Sequence, residues 1–424
     1  MIINPISNLH GVIAIPSDKS ISHRSVMFGA LALGKTTIHN FLMGDDCLST
    51  IECFRKLGLT IEIDGTTVTV YGKGLYGLTA PKDVLDCGNS GTTARLISGI
   101  LAAQNFPSTL TGDASIQKRP MKRVIAPLTL MGARLQATDD SFCPIRIEPS
   151  KLKGITYHST VASAQVKSCI LLAGLYADGP TTVTEPSISR DHTERMLAAF
   201  GASLTREGTA VTINPCKELY GGDITVPGDI SSAAFFIVAA LITPNSELTI
   251  KNVGINPTRR GVLDVLIEMG GDITLLNEQF IGGEPVCDLK VKSSKLHGTV
   301  IGGTIIPTLI DEIPALAVAA AFADGQTVIK DASELKVKES NRITALHSEL
   351  TKMGADITVA EDGLIINGGK TLNGALLDTF DDHRMAMSLA IAACNASSPS
   401  TLLNPHCVSI SFPNFFDLLH TISQ

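Results

Sequence analysis

Nine cations and two carboxylates stand at points of this 424-residue chain where a polar loop runs into a small-residue apolar segment. The cations are Lys19, Arg24, Arg95, Arg119, Lys167, Arg190, Lys338, Arg342 and Arg384. Apart from residues that would cap helices, the carboxylates among them are Asp311 and Glu339. Guanidinium and ammonium groups in that excess suit ligands carrying several negative charges. A carboxylate held among cations can accept a proton, and a second can deliver one. The chemistry indicated is acid–base catalysis on anionic substrates.

Each loop adds its own donors. Pro16-Ser17-Asp18-Lys19-Ser20-Ile21-Ser22-His23-Arg24-Ser25 sets hydroxyls around Lys19 and Arg24, enough to neutralise a phosphate or carboxylate. Asp86-Cys87-Gly88-Asn89-Ser90-Gly91-Thr92-Thr93-Ala94-Arg95 supplies two glycines for close backbone approach, with Asn89, Ser90 and Thr92 as caps or donors. In Lys118-Arg119-Pro120-Met121 the proline keeps Arg119 extended, with its side chain outward. Ser163-Ala164-Gln165-Val166-Lys167 and Ser189-Arg190-Asp191-His192 follow, where a solvated face is an equal account of Lys167 and Arg190. Ile310-Asp311-Glu312-Ile313-Pro314 places two carboxylates ahead of an apolar helix, as caps worth roughly 1 kcal/mol or with one as general base. Lys336-Val337-Lys338-Glu339-Ser340-Asn341-Arg342 packs three cations around a glutamate. Asp381-Asp382-His383-Arg384-Met385 has an Asp/His set but no second His at ligand spacing, which disfavours a metal.

Composition narrows the class. A net charge of −7 without a long basic run, no Trp and 4% aromatics argue against nucleic-acid binding. Neither a dinucleotide fingerprint nor a Walker loop is present. Nine scattered cysteines, an odd number without a Cys-x-x-Cys pair, fit reduced core thiols rather than disulfides. The start, Met1-Ile2-Ile3-Asn4-Pro5, shows no signal peptide. The apolar runs near Ala233–Ile242 and Ala315–Phe322 are shorter than the roughly 20 residues of a membrane span. The expectation is a soluble, cytoplasmic protein with two domains, since 424 residues exceed what one core serves.

The elements that must position these loops repeat. Leu9-His10-Gly11, Leu75-Tyr76-Gly77, Leu152-Lys153-Gly154, Leu219-Tyr220-Gly221, Leu296-His297-Gly298 and Leu372-Asn373-Gly374 recur about every 65–80 residues, longer than solenoid periods. Before most of them a helix ends in glycine, as at Gly58, Gly132, Gly201, Gly270 and Gly354. Each repeat reads strand, helix, strand, helix, then two strands. The first helices, such as Phe235–Leu241 and Leu316–Ala321, are apolar on nearly every face and so belong inside, with sheets outside. Six helix starts result, each with unpaired N–H groups and about half a positive charge, and phosphate suits such an end. Val226-Pro227-Gly228-Asp229 marks a crossover between two groups of three repeats. The first strand, around Ile2–Ile15, is expected to pair with the second half, which makes Ser17-Asp18-Lys19 a second crossover and the pair a hinge.

These motifs resemble the 5-enolpyruvylshikimate-3-phosphate synthase family over essentially the whole length. The resemblance runs from Ser17–Arg24 through Gly88–Thr93 and Lys118–Met121 to Asp382–Met385. Ser163–Lys167, Arg190–Arg195 and Asn256-Pro257-Thr258-Arg259 resemble the subgroup known for glyphosate tolerance. The resemblance implies a two-domain, inside-out α/β barrel of six βαβαββ repeats, three per domain. The domains would be residues 1–17 plus 227–424 and residues 18–226, with the active site in the cleft between them. It implies transfer of the enolpyruvyl group of phosphoenolpyruvate to the 5-hydroxyl of shikimate 3-phosphate by a monomer without metal or organic cofactor. By resemblance Lys19, Ser20, Arg24, Ser163, Ala164, Gln165, Arg190, Asp311 and Lys338 hold shikimate 3-phosphate. Lys19, Asn89, Gly91, Arg119, Gln165, Glu339, Arg342, His383 and Arg384 surround phosphoenolpyruvate, with Asp311, Glu339 and Lys19 as catalytic groups. Where many members carry a lysine, this chain has Ile410. The alternatives are enolpyruvyl transfer to UDP-N-acetylglucosamine, whose enzymes lack the Lys-Ser-Ile-Ser-His-Arg loop, and a silent sugar-phosphate binder. Retention of both Asp311 and Glu339 argues against the binder.

Overall fold

The computed structural model describes residues 1–423. They form two compact lobes, one of Met1–Asp18 with Pro227–Gln424 and one of Lys19–Val226. Asp18 belongs with the first lobe rather than opening the second. Its amide donates to Pro227 O at 2.7 Å and its carboxylate lies 3.3 Å from Arg259.

Lys19–Val226 holds three repeats. Their helices are α1 (Lys19–Leu31) and α2 (Asp45–Lys56), α3 (Gly91–Leu101) and α4 (Lys122–Leu130), and α5 (Ala164–Gly174) and α6 (His192–Ala199). The first helix of each pair is buried almost throughout: Ile21 to Leu31 in α1 and Val166 to Gly174 in α5 have no exposed residue. A helix apolar or small on every face can be covered on every face, and α3 packs against both α1 and α5. The second helices show one buried stripe. Each ends at the expected glycine, with φ of 88° at Gly58, 95° at Gly132 and 96° at Gly201, a left-handed stop that a side chain would strain.

The sheets lie outside these helices and share one order. In the second repeat, Leu85–Asp86 runs parallel to Ser108–Thr111, which pairs antiparallel with Phe142–Glu148, and that strand pairs with Arg134–Thr138. A parallel pair needs a crossover, which is what buries the first helix beneath its own sheet. Outer faces stay polar: in Thr60–Asp64 only Ile61 is buried.

The first lobe carries α7 (Ile230–Ile242) and α8 (Gly261–Glu268), the short α9 (Ile306–Leu309), α10 (Ile313–Phe322) and α11 (Arg342–Lys352), and α12 (His383–Cys394) and α13 (Phe415–Ile422). Here α7, α10 and α12 form the buried trio, packed against one another. Every residue of α12 is buried.

Two repeats exchange their first strands. The signature Leu219-Tyr220-Gly221 leads a strand that pairs parallel with Ala32–His39 and completes the sheet over α1. Conversely, His10–Ala14 pairs parallel with Glu247–Gly254 and completes the sheet over α7, as expected for a first strand joining the second half. So Leu9 does not open the repeat of α1, nor Leu219 that of α7. The crossovers run side by side: Ser17 bridges Gly228, and Asp229 N donates to Pro16 O at 2.9 Å. The sixth repeat also departs from the pattern. Ser400–Leu402 pairs with Leu376–Leu377 and with Ile2–Ile3, so the chain start supplies its closing strand. In place of two final strands it has a 3₁₀ turn at Pro405–Ile410 and α13.

Phe236 of α7 is sealed against Phe412 and Phe415, tying the sixth repeat to the fourth. Phe236→Ala is expected to destabilise this lobe by about 3–5 kcal/mol. Denaturant unfolding followed by circular dichroism checks it; a loss below about 1 kcal/mol would show that the cluster relaxes around the hole.

Candidate active site

In the lobe of Lys19–Val226, polar side chains collect at the starts of α1, α3 and α5. Lys19 opens α1 and pairs with Asp46 in the first turn of α2 at 2.6 Å. One turn on, Arg24 is nearly enclosed. It donates to Thr193 Oγ1 at 2.7 Å, Ser168 Oγ at 3.0 Å and Ser20 O at 2.9 Å. These two hydroxyls and the carbonyl fix the orientation of a nearly buried guanidinium.

Ser90 caps α3 by accepting from Thr93 N at 3.1 Å, and Gly91 begins the helix. Arg119 reaches Asn89 Oδ1 at 3.3 Å, while Asn89 donates to Asp113 at 2.8 Å. Arg95 holds Gln165 Oε1 at 2.7 Å, and Gln165 donates to Thr92 at 3.1 Å, so α3 fixes the start of α5. A Cβ on Gly91 would fall 2.7 Å from Arg95 Nη1 and 3.1 Å from Arg119 Nη1. The glycine is therefore what lets two guanidinium groups approach the helix start. Ser163 is the N-cap of α5, but its side chain makes no capping bond, which leaves that helix end for another acceptor. Arg190 is half-buried just before α6.

Lys167 lies elsewhere. Its ammonium is fully buried, 3.0 Å from Glu185 and 2.8 Å from Glu194, and donates to Ser189 O. Two carboxylates consume its charge, so it braces the loop before Arg190 and is no ligand cation.

In the other lobe the starts of α10, α11 and α12 converge. Lys338 lies 3.3 Å and Arg342 3.5 Å from Asp311 Oδ1. Arg342 also meets Glu339 at 2.6 Å and clasps Asp382 through Nε at 2.8 Å and Nη2 at 3.1 Å. Asp382 caps α12 by accepting from Arg384 N at 3.0 Å, and Arg384 Nη1 donates to Asp311 O at 3.1 Å. Burial alone would raise the Asp382 carboxyl, but Arg342 outweighs it and holds the group below its ordinary value. Burial likewise works against the Arg342 charge, and Asp382 and Glu339 more than restore it. Asp311 and Glu339 keep 15% and 16% of their side-chain surface, whereas Asp382 keeps none. The first two can exchange protons with a ligand, and Asp382 serves as structure. His383 is buried at the same helix start, and Ile410 ends the 3₁₀ turn, half-buried.

Two residues outside the sequence-derived cation and carboxylate set belong to these clusters: Asp46, the partner of Lys19, and Arg259, which meets Asp18, Asp229 and Glu312. The signal for Asp46 was there: Asp45-Asp46 open α2 at the place where other repeats carry arginine. Among the described residues no three His, Cys, Asp or Glu side chains are grouped to hold a metal ion.

Two lobes of repeated βαβαββ folding with cations gathered at helix starts define an enolpyruvyl transferase fold. The enolpyruvyl transferase NikO of Streptomyces tendae superposes with a TM-score of 0.81 over 99% of this chain and 96% of that one, at 19% identity. The chain belongs to the EPSP synthase (3-phosphoshikimate 1-carboxyvinyltransferase) family, whose model matches residues 3–419. A 3-phosphoshikimate 1-carboxyvinyltransferase of Thermoanaerobacter sp. (strain X514) is 57% identical over 97% of this chain and 98% of its own. The EPSP synthase of Acinetobacter baumannii has a TM-score of 0.88 at 47% identity, covering 99% and 97% of the two chains.

A buried chain of hydroxyls ties α1, α2 and α3 together. His23 Nδ1 lies 2.7 Å from Thr50 Oγ1, which lies 2.6 Å from Thr93 Oγ1, and Thr93 donates to Ser90 Oγ at 2.7 Å. With Thr93 donating onward, Thr50 must donate to Thr93 and His23 to Thr50, so the imidazole proton sits on Nδ1. Burial, then Lys19 and Arg24, push the His23 pKa well below its usual 6.5. The unfolded chain then binds this proton first, so stability is full above pH ~6.5 and falls as the pH drops below it, by at most about 1.4 kcal/mol per unit. The denaturant midpoint is expected to fall between pH 7.5 and 5.5, and His23→Asn, which keeps a donor, is expected to flatten that slope. An unchanged slope in the variant would assign the pH dependence to other groups.

Proposed function

We propose that this chain transfers the enolpyruvyl group of phosphoenolpyruvate to the 5-hydroxyl of shikimate 3-phosphate, releasing phosphate, in the route to chorismate and the aromatic amino acids. The observation that carries it is the pair of partly accessible carboxylates, Asp311 and Glu339, set among Lys338, Arg342 and Arg384 in a chain of this family. The chain acts here as a monomer, the state expected from its resemblance to the family. Nine free cysteines support a reducing compartment, the cytoplasm. Among the described residues no single helix is long and apolar enough to cross a membrane.

In this mechanism both lobes act on one substrate pair. Shikimate 3-phosphate takes Lys19, Ser20 and Arg24 for its phosphate, with Ser163, Ala164, Gln165, Arg190, Asp311 and Lys338 around the ring. Arg24 is already oriented by three fixed acceptors, so little entropy is lost on binding. Phosphoenolpyruvate takes Lys19, Asn89, Gly91, Arg119, Gln165, Glu339, Arg342, His383 and Arg384. Protonation of its methylene carbon, assigned to Glu339 with Lys19, leaves cationic character on the neighbouring carbon. The 5-hydroxyl attacks there as Asp311 takes its proton, which gives a tetrahedral intermediate. A methyl proton then returns to Glu339, the carbon–carbon double bond re-forms and the C–O bond to phosphate breaks, releasing phosphate. Arg119, Arg342 and Arg384 hold carboxylate and phosphate in fixed geometry, so charge is stabilised without reorganisation. Lys338 and Arg342, each within 3.5 Å of Asp311 Oδ1, hold that carboxylate in place beside the hydroxyl it is to deprotonate.

Phosphate release is to be followed with shikimate 3-phosphate and then with UDP-N-acetylglucosamine, and only the first is expected to give turnover. Asp311→Ala is expected to bind shikimate 3-phosphate yet lose about 10²–10⁴-fold in kcat; near-normal turnover would remove Asp311 as base. Gly91→Ala is expected to fold normally but to raise the phosphoenolpyruvate KM about tenfold, because its methyl displaces Arg95 and Arg119 at a typical overpacking cost of about 1–3 kcal/mol. An unchanged KM would show that neither guanidinium touches that substrate.

A further inference from the structure

Four repeats put an arginine at the start of their second helix: Arg119 before α4, Arg190 before α6, Arg259 before α8 and Arg342 opening α11. Three of these are assigned to substrate above. Arg259 is wholly buried and its charge is directed inward. It donates to Asp229 Oδ1 at 3.0 Å and Ser231 Oγ at 2.5 Å, and lies 3.3 Å from Asp18.

The chain of contacts runs on to Glu312. Ser231, held by Arg259, donates its hydroxyl to Glu312 Oε1 in a short bond. Glu312 has no exposed surface, and its Oε1 lies between two guanidinium groups, 3.8 Å from Arg259 Nη2 and 3.9 Å from Arg384 Nη1. Both separations exceed hydrogen-bond range, so Glu312 attracts Arg384 without occupying its donors. The one hydrogen bond Arg384 makes from its guanidinium to the described residues is that to Asp311 O. The remaining N–H groups of its planar fork are thus aimed but unspent.

We propose that Glu312 is a positioning residue for Arg384, fixed in turn by Ser231 and Arg259. The arrangement rests on Arg384 holding phosphoenolpyruvate, as assigned above. A carboxylate without water is mobile only at great cost, so its placement by Arg259 and Ser231 transmits to the guanidinium opposite. Asp311 shares the turn, with its backbone carbonyl on Arg384 and its side chain on Lys338 and Arg342. One buried carboxylate therefore sets a substrate-holding cation beside the residue assigned as base, without itself touching substrate.

The test uses the full-length enzyme and four variants: Glu312→Gln, which keeps shape and loses charge, Ser231→Ala, Arg384→Gln and the double Glu312→Gln/Arg384→Gln. Steady-state kinetics give the phosphoenolpyruvate KM, calorimetry gives the shikimate 3-phosphate Kd, and circular dichroism reports folding. Glu312→Gln is expected to raise the phosphoenolpyruvate KM at least fivefold with the shikimate 3-phosphate Kd within twofold. Ser231→Ala should move the same parameter in the same direction, which keeps the test decisive if Glu312→Gln folds poorly. Arg384→Gln should raise that KM at least as far, and the double variant no further. Were Arg384→Gln alone to raise it, with Glu312→Gln and Ser231→Ala at wild-type KM, Glu312 would not position Arg384. Additive effects in the double variant would also overturn the proposal. An unchanged KM in Arg384→Gln would instead overturn the assignment of Arg384 itself.

Discussion

A guanidinium taken out of water has to be ringed by acceptors, and the first lobe depends on two such sites. Arg342 meets Asp382, Glu339 and Asp311, and Arg259 meets Asp18, Asp229 and Glu312. Each acid comes from a different stretch of chain, so each arginine fixes several helix starts at once. Removing one partner would leave a buried charge uncompensated, which typically costs about 3–5 kcal/mol. The same clasp therefore holds the lobe together and sets its functional groups. Asp382 shows the economy of it, since one carboxylate caps α12 and anchors Arg342.

The other lobe meets the same constraint with neutral groups. Arg24 is surrounded by two hydroxyls and a carbonyl, and the helix starts are joined by the hydroxyl chain from His23 to Ser90. Neutral acceptors orient the guanidinium at a smaller desolvation cost than a ring of carboxylates would carry. Where this lobe does bury a lysine between two acids, at Lys167, the result is a brace and no longer a site.

Such pairing is also why the site was only partly legible in the sequence. The repeat, the buried first helices and the glycine stops could be read because they depend on local pattern: φ near 90° at Gly58 and apolar faces on α7 and α10 are local facts. Residue type alone did not separate Lys167 from Lys338, and only the family resemblance kept the second and left out the first, because their partners, Glu185 and Glu194 for one and Asp311 for the other, are set by tertiary packing. Asp46 was hidden because its partner, Lys19, lies 27 residues away in the sequence. The exchange of first strands was half visible: Pro227 and Gly228 marked the crossover, but the Leu-x-Gly signatures at Leu9 and Leu219 look alike, and only pairing shows which sheet each one completes.

One position diverges from repeat to repeat. At the start of the second helix, Arg342 and Arg259 are both buried among three acids, but two of those around Arg342, Asp311 and Glu339, keep 15% and 16% of their side-chain surface, whereas those around Arg259 keep 6% or less. In the first repeat that place holds Asp46, which inverts the sign and turns the charge of Lys19 from neighbour to partner. In the sixth, the stretch before α13 ends in Ile410, with no cation at all. Within the first lobe the outcome is uneven: Arg342 meets three acids, whereas the guanidinium of Arg384 makes one hydrogen bond to the described residues, so the two cations nearest Asp311 differ in how much donor capacity is left for an anion.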